Sequence, residues 1–327
     1  MKLLVIGDKT RFDKYLPDLD ITKKVEYTVV PRGTQDEDII AAASDADFII
    51  VDTIHPLSAK LISALPKLRL IHSEGVAYNA IDIKAARDRK IPVCNCKGAN
   101  AGAVAEQAIL LMLACLRHTV TGDAAVRKGQ QIQTKERLMI DGIRELSDCK
   151  IGFIGAGDTA QATMRRLMNW NCELAYYKRT PLLPEEEEPL GACFEQLDSL
   201  LATSDIISIH VPVTDETRNM VDASFLSKMK QGSILINTAR GEIVDSKALA
   251  DVLVSGHLSA AGLDTLHPEP VTIDNVLLNL PNAVSNRVVF SPHVGGITEG
   301  TFFRVHQTIW ENISRVIEGK QPINIVS

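Results

Sequence analysis

The 327-residue chain has no long hydrophobic run, no glycine or proline excess and no positive net charge, and each lack removes a class of protein. Its longest apolar stretch, Ala108–Leu116, is nine residues, against the roughly 18 that a membrane span requires, so it reads as a buried helix. At the amino end only Leu3–Ile6 is apolar before Gly7, Asp8 and Lys9, too short for a signal-peptide core. Twenty glycines and 14 prolines exclude collagen-like and low-complexity chains, and 45% apolar residues exclude intrinsic disorder. With 35 Lys+Arg against 41 Asp+Glu the net charge is −6, which gives no general attraction to phosphate backbones or anionic lipid. Neither nucleic acid nor a membrane is expected as a partner. The six cysteines (Cys94, Cys96, Cys115, Cys149, Cys172, Cys193) lack the density of a disulfide framework and suit a reducing, cytoplasmic compartment. Cys94 and Cys96 have no second Cys/His pair at zinc spacing, so no metal site is expected.

What is present begins with length, which predicts about two domains of roughly 150 residues each. Short runs rich in Val, Ile and Leu at Lys2–Gly7, Val25–Val30, Asp47–Asp52, Leu68–His72 and Ile91–Cys94 alternate with helix-like stretches at Asp36–Ser44, Ser58–Ala64 and Ile81–Lys90. Such alternation predicts an α/β architecture, a parallel sheet with helices on both faces. After a longer helical segment from Gly102, a second series starts at Ile151, with six strands expected at Ile151–Gly155, Glu173–Tyr177, Ile206–His210, Ser233–Asn237, Ser259–Leu263 and Val288–Ser291. The stretch Pro181–Pro189, with four consecutive glutamates, has no periodicity and reads as a solvated loop; Thr301–Gly319 has helical periodicity.

The second series opens with Gly155-Ala-Gly157-Asp158-Thr159-Ala160 directly after an apolar strand, matching G-x-G-x-x-G/A. Gly155 permits the tight turn, Gly157 lets backbone approach a pyrophosphate, and the helix beginning near Thr159 aims its N–H groups at the anion. About 20 residues on, the carboxylate that accepts from adenosine ribose hydroxyls should end the next strand. The chain instead offers Lys178, 178 − 157 = 21 residues past Gly157, then Arg179 and Thr180. Two cations and a hydroxyl suit a 2′-phosphate that a carboxylate would repel, so NADP(H) is the preferred cofactor. The alternative is that both cations are solvated loop residues and the cofactor is NAD(H).

Three further segments each follow an expected strand: Ile236-Asn-Thr238-Ala239-Arg240-Gly241, Gly262-Leu-Asp264-Thr-Leu-His-Pro-Glu269-Pro270, and Ser291-Pro-His293-Val-Gly295-Gly296. Ligands gather outside the carboxyl ends of strands in open α/β sheets, which lets Arg240, Glu269 and His293 converge beside the glycine turn. With these motifs the chain resembles the D-isomer-specific 2-hydroxyacid dehydrogenases, nearly end to end. The resemblance implies a Rossmann dinucleotide-binding domain at 101–296 and a flavodoxin-like substrate domain at 1–100 plus 297–327, both doubly wound parallel-sheet domains, with the chemistry in the cleft between them. It implies that Arg240 holds the substrate, His293 is the acid/base and Glu269 its partner. The chemistry agrees: reducing a 2-oxo acid needs a proton at the carbonyl oxygen, histidine exchanges one near neutral pH, a carboxylate orients the imidazole and favours its charged form, and arginine grips a carboxylate bidentately.

The loop Ser73-Glu-Gly-Val76-Ala77-Tyr-Asn is similar to the family's substrate-carboxylate loop, whose amides correspond to Val76 and Ala77; Ala77 stands where the family usually has glycine and narrows the space above the loop. Asn100 occupies a position that helps enclose the active site, and could equally cap the following helix. Other cofactor contacts implied by the resemblance are Asp158, Thr159, His210, Val211, Pro212, Thr217, Thr238, Ala239, Arg240, Asp264, His293, Gly295 and Gly296. The expected activity is reduction of a small 2-oxo acid to the D-2-hydroxy acid, by a homodimer whose arm is the Ala108–Leu116 helix and its polar continuation. Two rival readings are an NAD-dependent relative acting on D-3-phosphoglycerate, for which Arg69, Lys97 and Lys67 supply candidate cations, and a non-catalytic nucleotide-sensing binding protein.

Overall fold

A computed structural model describes residues 1–327, which divide into two compact units, Met1–Asn100 with Ile297–Ser327, and Ala101–Gly296. The first unit runs β1 (Lys2–Ile6), α1 (Lys9–Tyr15), β2 (Glu26–Val30), α2 (Asp36–Ala43), β3 (Phe48–Val51), α3 (Ala59–Ala64), β4 (Leu70–Ser73), α4 (Ile83–Asp88) and β5 (Val93–Cys94). Its strands are all parallel in the order β2-β1-β3-β4-β5, the flavodoxin-like arrangement. Strands β3 and β4 are buried along their whole length because helices cover both faces of the sheet, which is why β3 reads as an unbroken apolar run and the polar ends of β4, His72 and Ser73, are hydrogen-bonded. Short polar side chains start the helices: Asp8, Ser58 and Asp82 each accept from a first-turn amide of α1, α3 and α4.

The second unit begins with α5 (Ala101–Leu116), α6 (Thr119–Arg127) and α7 (Gln131–Asp141), then β6 (Lys150–Ile154), α8 (Asp158–Leu167), β7 (Glu173–Tyr177), α9 (Pro184–Glu187), β8 (Ala192–Phe194) and α10 (Leu197–Thr203). It continues through β9 (Ile206–Ile209), α11 (Ala223–Lys228), β10 (Ile234–Asn237), α12 (Ser246–Val254), β11 (Ala260–Leu263), α13 (Asn282–Ser285) and β12 (Val288–Phe290); the chain then returns to the first unit as α14 (Glu299–Ile317). The sheet order is β8-β7-β6-β9-β10-β11-β12, a doubly wound Rossmann order with one further strand. The strand order reverses between β6 and β9. No single helix is long and apolar enough to cross a membrane, and α5 buries most of its apolar residues in the protein.

Two expectations are corrected. The second sheet has seven strands rather than six: β8 is a three-residue edge strand whose brevity hid it from the pattern. Residues 181–189 are not a featureless loop but contain α9 and a 3-10 turn, Glu188–Leu190. Pro184 at the first helical position and the glutamates behind it suit a helix start, and Glu186 accepts from the amide of Leu183 at 2.9 Å. The buried Tyr176 hydroxyl fastens the segment, accepting from Leu182 N and donating to Glu187 at 2.5 Å. A turn so short shows no periodicity, although its start signal is legible.

Candidate active site

In the second unit the glycine turn sits where the strand order reverses. Gly155 has φ +99°, and a Cβ there would lie 2.5 Å from the carbonyl oxygen of His210, at the end of β9. Only glycine tolerates both the left-handed backbone and that approach. Gly157 caps α8 and has nothing within 4 Å of a would-be Cβ, leaving open space before the amides of Asp158, Thr159 and Ala160, which bond no protein acceptor. A ten-residue helix with free leading amides behind an open glycine fits a pyrophosphate. His210 is held neutral, burial pushing its pKa down to about 4, and its Nε2 meets Ser208 Oγ at 2.8 Å. Val211 packs its Cγ1 at 3.0 Å from that same Cβ position, and the Pro212 carbonyl accepts from Thr217 Oγ1 at 2.6 Å, which shapes the turn after β9.

The end of β7 lies alongside this turn: Ile154 pairs with Tyr177, and Gly155 N donates to Tyr177 O at 2.8 Å. Lys178, Arg179 and Thr180 follow immediately, all exposed. Neither cation forms an ion pair; the carboxyl of Glu216, held low chiefly by its Thr214 hydrogen bond, also feels the charge of Arg179.

At the ends of β10, β11 and β12 a hydrogen-bonded lattice sets the chemistry. Asn237 donates through Nδ2 to Arg240 O at 2.9 Å and accepts from Ala239 N at 3.0 Å, so one buried amide shapes the loop that presents Arg240. The half-buried Arg240 guanidinium donates to Ala239 O at 2.8 Å and has no carboxylate partner. Gly241 then lets this loop pass against the next: a Cβ there would lie 2.2 Å from the carbonyl carbon of Leu266. His293 Nδ1 lies 2.7 and 2.9 Å from the two carboxylate oxygens of Glu269, which leaves Nε2 free. The backbone of His293 is left-handed, φ +55°, and its amide donates to Asp264 O at 2.9 Å.

Asp264, 3% exposed, spends its carboxylate on this loop, accepting from Ser291 Oγ at 2.5 Å, Val294 N at 3.0 Å and Gly295 N at 2.9 Å. Gly295 allows the approach, since its Cβ would fall 2.9 Å from Asp264 Oδ2; Gly296 follows it, half-buried. Gln107 on α5 completes the lattice by donating to Ser291 Oγ at 2.9 Å. Two buried hydroxyls nearby, Thr238 Oγ1 and Thr265 Oγ1, have no partner in the protein, as befits groups kept for a bound molecule. Gln107 carries no signal in the sequence, since an isolated polar residue on an apolar helix reads as packing; Ser291 and Thr265 stand inside the segments quoted from the sequence but are given no role there.

In the first unit the loop after β4 offers free amides. Ser73 Oγ donates to Ala77 O at 2.5 Å and Asn95 Nδ2 to Val76 O at 2.7 Å, while the N–H groups of Gly75, Val76 and Ala77 bond nothing in the protein. Adjacent amides facing one way form an anion-binding concavity. Asn100 ends the segment, half-buried. Behind the loop, where the order of this sheet reverses, lies a charged cluster that the sequence reading missed. Arg11 Nη2 bridges Asp52 at 2.8 Å and Glu74 at 2.5 Å, and His306 Nε2 lies 3.1 Å from the other Glu74 oxygen. These residues are separated by up to 295 positions and share no motif. Cys94 and Cys96 lie in the same core, their thiols pushed up to about 12 by burial, which disfavours the thiolate.

Residues 109–295 match the profile described as D-isomer specific 2-hydroxyacid dehydrogenase, NAD binding domain. Over 289 residues, 88% of this chain and 85% of the other, it is 34% identical to a protein named glyoxylate reductase from Korarchaeum cryptofilum. It is likewise 34% identical over 295 residues, 90% and 92% of the two chains, to a protein named hydroxypyruvate reductase from Thermotoga maritima. The apo D-mandelate dehydrogenase of Rhodotorula graminis superposes with a TM-score of 0.85 at 26% identity, covering 100% of this chain and 97% of that one. Fold, glycine turn and these similarities together show that the chain belongs to the D-isomer-specific 2-hydroxyacid dehydrogenases, oxidoreductases that use a nicotinamide dinucleotide.

Proposed function

We propose that this protein reduces a small 2-oxo acid, of the glyoxylate or hydroxypyruvate size named for its relatives, to the D-2-hydroxy acid using NADPH. The observation that carries the reading is the His293–Glu269 contact at 2.7 Å, beyond a strand end in the same unit as an unpaired Arg240 and an open glycine turn. Gly155, Gly157, Asp158 and Thr159 would hold the pyrophosphate, with His210, Val211, Pro212, Thr217, Thr238, Ala239, Asp264, Gly295 and Gly296 lining the remainder of the dinucleotide site. When bound, the reduced nicotinamide supplies the hydride. Arg240 binds the substrate carboxylate and polarises its carbonyl, and the free amides of Val76 and Ala77 are the anion-binding groups that the first unit offers. Protonated His293 donates from Nε2 to the carbonyl oxygen as charge develops there, while Glu269 on Nδ1 keeps the ring oriented and stabilises its charged form. Steady-state absorbance at the nicotinamide band with a panel of 2-oxo acids, run separately with NADPH and NADH, tests the reading. No oxidation of either cofactor by any acid would favour a binding protein instead.

Preference for NADPH rests on Lys178 and Arg179 standing free beside the glycine turn. Lys178→Asp is expected to lower the NADPH-to-NADH ratio of kcat/KM by about tenfold or more, the 1.4 kcal/mol or greater scale of one charge-assisted phosphate contact. An unchanged ratio would remove phosphate recognition from this position.

We further propose a homodimer through α6, α7 and the chain after them. Helix α7 buries no residue, and Ile132, Met139 and Ile140 are 57%, 73% and 85% exposed. Apolar side chains this exposed are commonly covered by a partner. Sedimentation should show a dimer for the wild type and a monomer for Met139→Asp/Ile140→Asp; a wild-type monomer at micromolar concentration removes the proposal.

A further inference from the structure

We propose that the first unit carries a second, separate anion site, a cleft of about 760 Å³ at the amino-terminal edge of its sheet, which takes a small phosphorylated organic anion. Its size falls in the range of ligand pockets, roughly 300–1,000 Å³. Arg69, Arg87, Arg89, Lys90 and Lys320 line it, and no Asp or Glu does. Elsewhere in this unit Lys2, Lys9, Lys14, Lys60 and Lys84 each hold a carboxylate, while Lys24, Lys67 and Lys97 stand singly and are not gathered around a cleft. In the cleft only Lys320 has one, Glu318 at 2.7 Å.

Two of the guanidiniums are fixed in place without being neutralised. Arg69 Nη2 donates to Val316 O at 2.7 Å, with its guanidinium 5.7 Å from the centre of the Phe48 ring. Arg89 donates to the carbonyls of Ile62 and Leu65, the latter at 3.0 Å. Carbonyl acceptors orient a guanidinium but leave its full charge; Arg69 keeps Nη1 and Nε for a phosphoryl group, while Arg89, both of whose Nη atoms already donate, adds charge. Arg87 and Lys90 are exposed, without an ion-pair partner, and complete the charge. Four unpaired cations around one concavity repel one another, a cost that a bound polyanion removes. Ile91, Pro92 and Pro322 add apolar wall for the organic part of the ligand. An open cleft of this size, with its cations gathered around one concavity, suits a small molecule rather than the extended basic stripe that nucleic acid requires.

This cleft is distinct from the loop that presents the Val76 and Ala77 amides. Arg69 precedes β4 and that loop follows it, so the four-residue strand separates them by about 13 Å at roughly 3.3 Å per residue. Arg69 is therefore displaced from the role of gripping a phosphorylated substrate, one of the cations offered for that purpose by the sequence.

Calorimetric titration of the full chain with tripolyphosphate and with ATP, each in the presence of excess NADP+ to occupy the dinucleotide site, tests the proposal. One saturable site is expected, with the ligand held at least tenfold more weakly by Arg87→Ala/Lys90→Ala. Both side chains are exposed and free of hydrogen bonds, so the variant should unfold at the wild-type temperature. Turnover of 2-oxo acids without added phosphate should be unchanged in it, which separates failure here from failure of the proposed activity. Absence of saturable binding, binding that NADP+ abolishes, or affinity indifferent to the two substitutions would each overturn the proposal. So would equal competition by sulfate at the same ionic strength, which would reduce the cleft to an unselective basic surface.

Discussion

Replacing His293 by alanine is expected to lower the rate of the reductive step by about 10²–10⁴-fold, the usual contribution of a positioned general acid. The imidazole is held at Nδ1 by Glu269, 2.7 Å away, and by a left-handed backbone whose amide is bonded to Asp264 O, so the free Nε2 has a fixed direction. Alanine removes the proton donor but leaves the Asp264 contacts to Ser291, Val294 and Gly295, which involve other residues. Dinucleotide affinity, followed by fluorescence titration, should therefore change less than threefold while single-turnover reduction slows. Glu269→Gln should fall between, because a neutral amide still orients the ring but no longer stabilises its charge. Near-normal turnover in His293→Ala would remove the residue from the acid role.

Glu74→Ala should cost about 3–5 kcal/mol of stability, the scale of removing one partner from a buried ion pair. Its side chain is 2% exposed and lies between the part-buried Arg11 and His306, the latter 0% exposed, so alanine leaves the buried imidazole without its partner beside an unfilled cavity. Arg11 retains Asp52 at 2.8 Å, which keeps the cost at the lower end if the side chain can turn outward. Because two units need not unfold together, the signal must come from the first. Trp310 provides it: fully buried in the first unit's core, it contrasts with Trp170 of the second, 41% exposed. Glu74→Ala should move the denaturant midpoint of the Trp310 transition downward. A midpoint unchanged within error would show that the cluster contributes nothing to folding.

The two predictions rest on parts of the molecule that differ in how far sequence exposes them. Strands such as Phe48–Val51 and helices with Ser58 or Asp82 at their starts are local matters, decided within a few residues by apolar runs and caps, and they are legible in the chain, whereas the short α1 after Asp8 is not among the expected helices. The glycine turn is legible for the same reason, since tight turn, strand and helix are contiguous. Even Pro184 and its glutamates carried a start signal, and only the shortness of α9 and β8 concealed them.

By itself, then, the sequence determined the α/β class, the family and the residue types available for chemistry, because parallel sheets buried on both faces and phosphate turns leave contiguous patterns. Tertiary structure alone decided which of those residues meet. Arg11, Glu74 and His306 converge only because α1, the end of β4 and α14 do, and the Asp264 lattice draws Gln107 from α5 across 184 positions to Ser291. Arg69 looked available for substrate until β4 set it at the opposite end of the strand from the amide loop, beside Arg87, Arg89 and Lys90. A side chain's charge is written in the sequence. The field it sits in depends on neighbours brought near by strand order, and no local pattern encodes them.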